Sequence, residues 1–395
     1  MSTVEESMLR FAVAPSGFKE CLDAEEVAEA IATGIRRVIP GAVVDGVPLI
    51  DGGEGSARLL ASATGGRLIP VTATGPTGRP VEAHFARFED TAFVEMAAAA
   101  GLSLVPAEHR DPGRTTSRGV GELVSAALDS GARRIIIGCG DSGICDGGAG
   151  ALRALGAEIL DAAGEPIGEG GAELLGAHRV DATGLDPRLS DVELTVAVNP
   201  RNVLCGPDGV ARRYGPQKGA GPERVEQLAA AMSRWARLLG EHCGAELAEV
   251  PGGGASGGLA AGLAGVLGAR LESRFDTFLA STDLEQRLRT ADLVITAEGA
   301  IDASTALGKI PTEVARRAKR HGKPVIALCG TIGPGADTSY EHGIDAITGI
   351  LTGPTALPEA IDRAPALIAD ATARTLRMLL LGSTLRAARD QRPAA

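Results

Sequence analysis

The chain has 395 residues, 44% of them hydrophobic but only 3% aromatic, which suits two soluble domains with aliphatic cores. Its formal charge of −11 argues against nucleic acid and anionic membrane as partners, so an anionic small molecule would need a locally cationic pocket. The 6 cysteines form no CxxC pair and the 6 histidines no HExxH, so neither a disulfide framework nor a zinc site is implied. The opening MSTVEESMLR is polar and acidic, and no run reaches the roughly 18 uninterrupted apolar residues of a membrane span, so the expected location is cytoplasmic.

In chain order, RFAVAP reads as a short strand and Gly17 as a turn. An amphipathic helix follows in DAEEVAEAIATGIRRVI, with Asp23 as N-cap and Glu26 at the capping-box position. The next strand, VVDGVPLI, runs into DGGEG. Lys19 and the cluster Asp51, Gly52, Gly53 and Glu54 thus both follow strands, and in a parallel sheet they share one rim. From about residue 67 the alternation of RLIPVTATGPTGRPVEAHFARFEDTAFVEM predicts antiparallel hairpins and a second domain.

A strong strand, RRIIIG, leads into GCGDSGICDGGAGALRALGAEILD. There Gly138, Gly140 and Gly143 spell GxGxxG, with Asp161 at the end of the next strand, the pattern of a dinucleotide-binding turn. The same residues with Asp146, Gly147 and Gly148 also read as a polyglycine cradle for a phosphate or carboxylate, which places fewer demands on the helix that follows. A second glycine-rich loop, PGGGASGG, holds Gly253, Gly254 and Ser256. It reads either as an anion loop or as backbone that lets a small-residue helix pack closely.

Near the C-terminus, LVIT predicts a strand, AEGAIDASTALGKIP a loop over Ala297–Pro311, PTEVARRAKRHG a helix and PVIAL a parallel strand. A loop of about 14 residues exceeds the usual βα connection of roughly 2 to 6, which marks it as functional or else as a polar surface loop. It carries Glu298, Asp302, Ser304, Thr305 and Lys309. Only five of the 39 basic residues are lysine, and three of these, Lys19, Lys218 and Lys309, lie in Gly/Pro-rich contexts, as suits compact point charges on a phosphate. A helix from Pro358 to about Met378 closes the pattern, and the residues after it read as a fraying tail. Walker A, GxSxG, HRD and DFG patterns are absent.

Taken together, APSGFKE, DGGEG, TTSRGVGELV, CDGGAGALRALGA, GPQKGA, PGGGASGGL and ITAEGAIDASTALGKIP resemble the bacterial glycerate kinase family that phosphorylates the 2-hydroxyl of D-glycerate. The resemblance spans about residues 10 to 380. It implies a two-domain α/β fold: a flavodoxin/Rossmann-like parallel-sheet domain over 1–68 and 286–395, and a mixed α/β domain inserted over 69–285. It also implies ATP and Mg²⁺, with the reaction in the cleft between domains and 2-phosphoglycerate as product. Asp302, Lys19 and Asp51 are then expected as catalytic residues, and Glu298 with Asp51 on the metal side. Lys218, Lys309, Thr305, Ser256, Gly253, Gly254, Asp146, Gly147 and Gly148 are expected to bind substrate or phosphate. A homodimer is left open. The chain departs from the family pattern at Gly17, Asp141, Ile144, Cys145, Asn199, Ala297, Ala300 and Ser304. A kinase of a related hydroxy acid, a nicotinamide-dependent oxidoreductase and a non-catalytic paralogue therefore stand as alternatives.

Overall fold

In the computed structural model, the described residues are 8–18, 21–279 and 282–390, the last eight of them as backbone only. The chain divides into two compact units, Met1–Ile50 with Phe278–Ala395, and Asp51–Thr277. The second unit is thus inserted as one continuous segment into the first.

In the first unit, five strands, Arg10–Val13, Val43–Gly46, Leu293–Ile301, Val325–Ile332 and Ala346–Gly349, pair in parallel throughout. Leu293–Ile301 lies at the centre, with Arg10–Val13 and then Val43–Gly46 to one side and Val325–Ile332 and then Ala346–Gly349 to the other. Numbered along the unit, this is the order 2-1-3-4-5 of flavodoxin-like sheets, which bind ligands outside the carboxyl ends where the winding reverses between the first and third strands. Central strands covered on both faces need unbroken apolar runs, and Val325–Cys329 is buried at every position.

The helix Ala24–Val38 begins with the expected capping box: Asp23 Oδ1 accepts from Glu26 N–H and Glu26 Oε2 accepts from Asp23 N–H, both at 2.9 Å. Its buried Ile31 and Ile35 share a core with Ile368 and Ala371 of the helix Ala364–Asp390. Gly34 permits that contact, since a Cβ there would lie 2.5 Å from the Ala369 carbonyl oxygen. The expected single helix from Pro358 is two, Leu357–Asp362 and Ala364–Asp390. Pro365 accounts for the break, because its ring would clash with the carbonyl of Ile361 in a continuous helix. The residues expected to fray are helical to Asp390.

The second unit holds a six-stranded mixed sheet. Thr91–Glu95, Arg134–Gly138, Glu193–Val198 and Arg270–Ser273 run parallel; of the predicted hairpin strands, Pro80–Phe88 pairs antiparallel with Thr91–Glu95, and Arg67–Thr74 pairs antiparallel with Pro80–Phe88 at the sheet edge. The helix Ser56–Thr64 packs on strands of this sheet. Trp235, fully buried in the helix Pro222–Cys243, donates its indole N–H to the Gly147 carbonyl at 2.9 Å and anchors the core. No helix among the described residues is long and apolar enough to cross a membrane.

Candidate active site

The carboxyl rim of the parallel sheet collects most of the chemistry of the first unit. Just past the first strand, Ser16 donates both its N–H and its hydroxyl to the Ala297 carbonyl, each at 2.9 Å, and so ties the first strand's exit to the third at the reversal point. The third strand runs further than the expected LVIT. Ala297, Glu298, Ala300 and Ile301 pair with Leu328, Cys329, Thr331 and Ile332, which shortens the loop to Asp302–Lys309. Glu298 therefore stands on a strand, a stiffer platform than a loop.

Lys309 is the N-cap residue of the helix Ile310–Arg320, and its ammonium lies 3.0 Å from Glu298 Oε1. Asp302 Oδ1 accepts from the Ser304 N–H at 2.8 Å and the Ser304 hydroxyl at 2.5 Å. Its own N–H donates to Thr305 Oγ1 at 3.1 Å, and buried Thr305 accepts at its carbonyl from the Thr312 hydroxyl at 2.8 Å. Partial burial pushes the Asp302 carboxyl up, but the Ser304 bonds and the Lys309 charge outweigh it and hold the group below its ordinary value. An ionised carboxylate, a lysine and a helix N-terminus thus meet on one rim, able to accept a proton and to offset anionic charge.

In the second unit, the four parallel strands end at Glu95, Gly138, Val198 and Ser273. Arg274, buried directly after the last of them, pairs with Asp51 Oδ2 at 3.0 Å, while Asp51 Oδ1 accepts from the Gly53 N–H at 3.0 Å. Buried Glu95 accepts from the N–H groups of Gly55 and Ala57 at 3.1 and 2.8 Å. Burial pushes its carboxyl up to about 7 against those two bonds, with help from the neighbouring charges of Glu54 and Asp141. The DGGEG turn lies against the GCGDSG turn so closely that a Cβ at Gly138 would sit 2.6 Å from the Gly52 carbonyl oxygen.

The two glycine-rich loops interlock. A Cβ at Gly257 would lie 2.2 Å from the Ile144 carbonyl oxygen, one at Gly262 2.1 Å from that of Gly147, and one at Gly254 2.1 Å from that of Val203. Their amides are engaged internally: Gly147 N–H donates to Gly257 O, Gly254 N–H to Asn202 O and Gly253 N–H to Val250 O. Asp146 is fully buried and accepts from the N–H groups of Ser117, Gly148 and Gly150 and from the Ser117 hydroxyl. Burial pushes its carboxyl up despite these bonds. The helix after the GxGxxG begins only at Ala149, with this carboxylate over its first amides. The geometry of a dinucleotide-binding turn is therefore not formed.

Lys218 is also buried, donating to the Ile144 carbonyl at 2.6 Å and the Ser142 hydroxyl at 2.8 Å, and burial pushes its ammonium down to about 8. Ser256 takes a left-handed backbone at φ +51, and its hydroxyl is buried beside the Cys139 thiol with no nitrogen or oxygen partner.

The structure thus gathers Glu298, Asp302, Thr305 and Lys309 on one rim in the first unit. In the second, Lys218, Asp146, Gly147 and Gly148 form one buried cluster, with Gly253, Gly254 and Ser256 in the loop interlocked with it. Lys19 lies outside the described residues. Sequence reasoning missed Arg274 and Glu95, neither of which sits in a motif with a spacing of its own, and the use of Asp141, which stands at a variable position of the GxGxxG turn. Among the described residues, no group of three or more His, Cys, Asp or Glu is arranged to hold a metal ion. Mg²⁺ in phosphoryl transfer needs only one or two carboxylates, the phosphates supplying the rest, and the hard carboxylate oxygens of Glu298 fit that requirement.

A flavodoxin-ordered sheet with a lysine-paired carboxylate at its winding reversal, its chain interrupted by a mixed α/β unit, defines a two-unit α/β protein. The model of the glycerate kinase family matches residues 11–380, and the chain belongs to that family. It is 44% identical over 358 residues to the glycerate kinase of Bacillus subtilis (strain 168), covering 90% of this chain and 94% of that one. It is likewise 44% identical over 354 residues to the glycerate 2-kinase of Escherichia coli (strain K12), covering 89% and 93%. A crystal structure of a candidate glycerate kinase 2 from Salmonella typhimurium LT2 matches with a TM-score of 0.77 at 41% identity, covering 95% of this chain and all of the other.

Proposed function

We propose that the protein is an ATP- and Mg²⁺-dependent kinase that phosphorylates the 2-hydroxyl of D-glycerate to give 2-phosphoglycerate. The observation that carries this reading is the 44% identity, over 89% of the chain, to a relative named for the 2-kinase reaction. The rim of Glu298, Asp302 and Lys309 supplies the chemistry the reaction asks for. The bond from the γ-phosphorus to ADP breaks, the bond to the 2-oxygen forms, and the hydroxyl proton goes to Asp302. A loose transition state needs that proton only late, so a carboxylate held ionised suffices as base. Lys309, aligned by Glu298, offsets charge on the transferring group, and the amides at the start of the helix Ile310–Arg320 add to it. Mg²⁺, when bound, would supply positive charge to the phosphate oxygens, and Glu298 would be the carboxylate of this unit that holds it. Lys19 acts as a further phosphate clamp.

The test supplies purified protein with Mg²⁺-ATP and D-glycerate and couples the product to enolase without a mutase. Enolase-competent product at once is the expected result. Formation of 3-phosphoglycerate alone refutes the regiochemistry, and turnover of neither product refutes the acceptor.

A further inference from the structure

The turn Asp51–Ala57 has the look of a phosphate cradle: glycines at 52, 53 and 55, then the helix Ser56–Thr64. The amides of residues 53–57 are nonetheless taken, and mostly by the protein's own carboxylates. Gly53 N–H goes to Asp51 Oδ1, Glu54 N–H to Asp141 Oδ2 at 3.2 Å, and the N–H groups of Gly55 and Ala57 to the two oxygens of Glu95; Ser56 N–H goes to the Gly53 carbonyl. Three carboxylates around one turn repel one another and would be unstable there without those donors.

Asp141 reaches its place at a cost. It holds φ +50, a conformation that glycine adopts freely and other residues seldom. Gly53 completes the fit, because a Cβ on it would lie 2.4 Å from Asp141 Oδ2. A strained aspartate and a buried glutamate between them hold three donors of the turn, Glu54, Gly55 and Ala57, and a glycine at 53 is cut back to admit the aspartate. We infer that Glu95 and Asp141 are positioning residues: they fix the Asp51–Ala57 turn so that it presents Asp51 and Glu54 in one pose and closes its amides to phosphate. The presentation of those side chains to a reaction rests on the function proposed above, whereas the holding of the turn does not.

Three variants, Asp141→Gly, Glu95→Gln and Gly53→Ala, test it in the full-length protein. In Asp141→Gly, amide exchange of the peptide spanning residues 53–57 should rise at least about tenfold while Tm holds or rises, because backbone strain is released as one bond is lost. Glu95→Gln should raise the same exchange. Gly53→Ala should lower Tm in the wild-type background and by less than about half as much beside Asp141→Gly, the non-additivity expected of contacting residues. With D-glycerate, Asp141→Gly should lower kcat at least about tenfold and leave KM for ATP in place, a split that general loosening would not give.

Unchanged exchange in both carboxylate variants, or additive Tm losses, overturns the geometry. Raised exchange with intact kcat overturns the positioning role, and protection of the turn by inorganic phosphate overturns its closure. A wild-type protein that does not phosphorylate glycerate refutes the proposed function instead, with exchange and the double-mutant cycle still deciding what holds the turn.

Discussion

Replacing Glu95 by glutamine should remove one limb of the protein's stability profile against pH. The Glu95 carboxyl rises from 4.5 to about 7 on folding, chiefly because burial disfavours its charged form. A group raised in this way stabilises the fold fully below its unfolded value, and that stability is lost as pH climbs through its folded value. The gap between 4.5 and about 7 corresponds to roughly 3 kcal/mol, all of it spent between those two pH values. For a unit of this size, about 2–4 °C of Tm accompanies each kcal/mol, so wild type should lose about 6–12 °C relative to Glu95→Gln between pH 4.5 and pH 8. Scanning calorimetry of both proteins across that range reads the difference directly, and titrations common to both cancel. A wild-type-minus-variant difference that stays flat with pH would mean that the two backbone donors hold the carboxylate ionised and that the burial argument is wrong.

The remaining predictions concern the site and its frame. Asp302→Asn should lower kcat by about 10² to 10⁴, as removal of a general base does, without recovery at raised Mg²⁺; rescue by metal would make it a metal ligand, and unchanged kinetics would remove it from the reaction. Lys309→Arg should lower kcat/KM at least about tenfold with Tm preserved, since the Lys309 side chain is partly exposed but the phosphate wants a point charge. Lys218→Arg should instead lose about 1–3 kcal/mol of stability, because a buried ammonium on the Ile144 carbonyl leaves no space for the larger planar group; equal Tm values for these two variants would contradict their different surroundings. Gly147→Ala combines a left-handed φ of +62 with a Cβ 2.4 Å from the Trp235 ring, and denaturant titration should show a loss of about 2–5 kcal/mol.

What could be read from the sequence follows from the range of the interactions involved. The Asp23–Glu26 capping box and the alternation across residues 67–96 are local, and both appear where the residue pattern places them. The third strand's extension through Ala297–Ile301 is not local. It depends on pairing with residues 328–332, and Ala297, Gly299 and Ala300 give little strand signal of their own. Glycine-rich loops are ambiguous for a similar reason: composition gives the same reading whether a missing Cβ admits a phosphate or another backbone. At Gly254, Gly257 and Gly262 the neighbour is backbone. Lys218 stands out in the sequence by its rarity as lysine, but its burial on the Ile144 carbonyl depends on a loop some 70 residues away. Arg274 and Glu95 gave no warning, since a single charged residue at the end of a strand carries no spacing to recognise.

The nesting of one unit within the other also imposes an order of events during synthesis. The strand Arg10–Val13 lies between Val43–Gly46 and Leu293–Ile301, so its inner neighbour emerges about 250 residues after its outer one, or about 12 to 50 s later at about 5–20 residues per second. Until then the N-terminal strand pair has an unpaired edge, exposed to chaperones and to other nascent chains. The inserted segment Asp51–Thr277 needs nothing downstream to complete its own sheet. A ribosome stalled with residue 285 just outside its tunnel should carry a protease-resistant inserted unit beside an N-terminal segment that is still cleaved. Resistance of both would show that the first two strands are sheltered without their third.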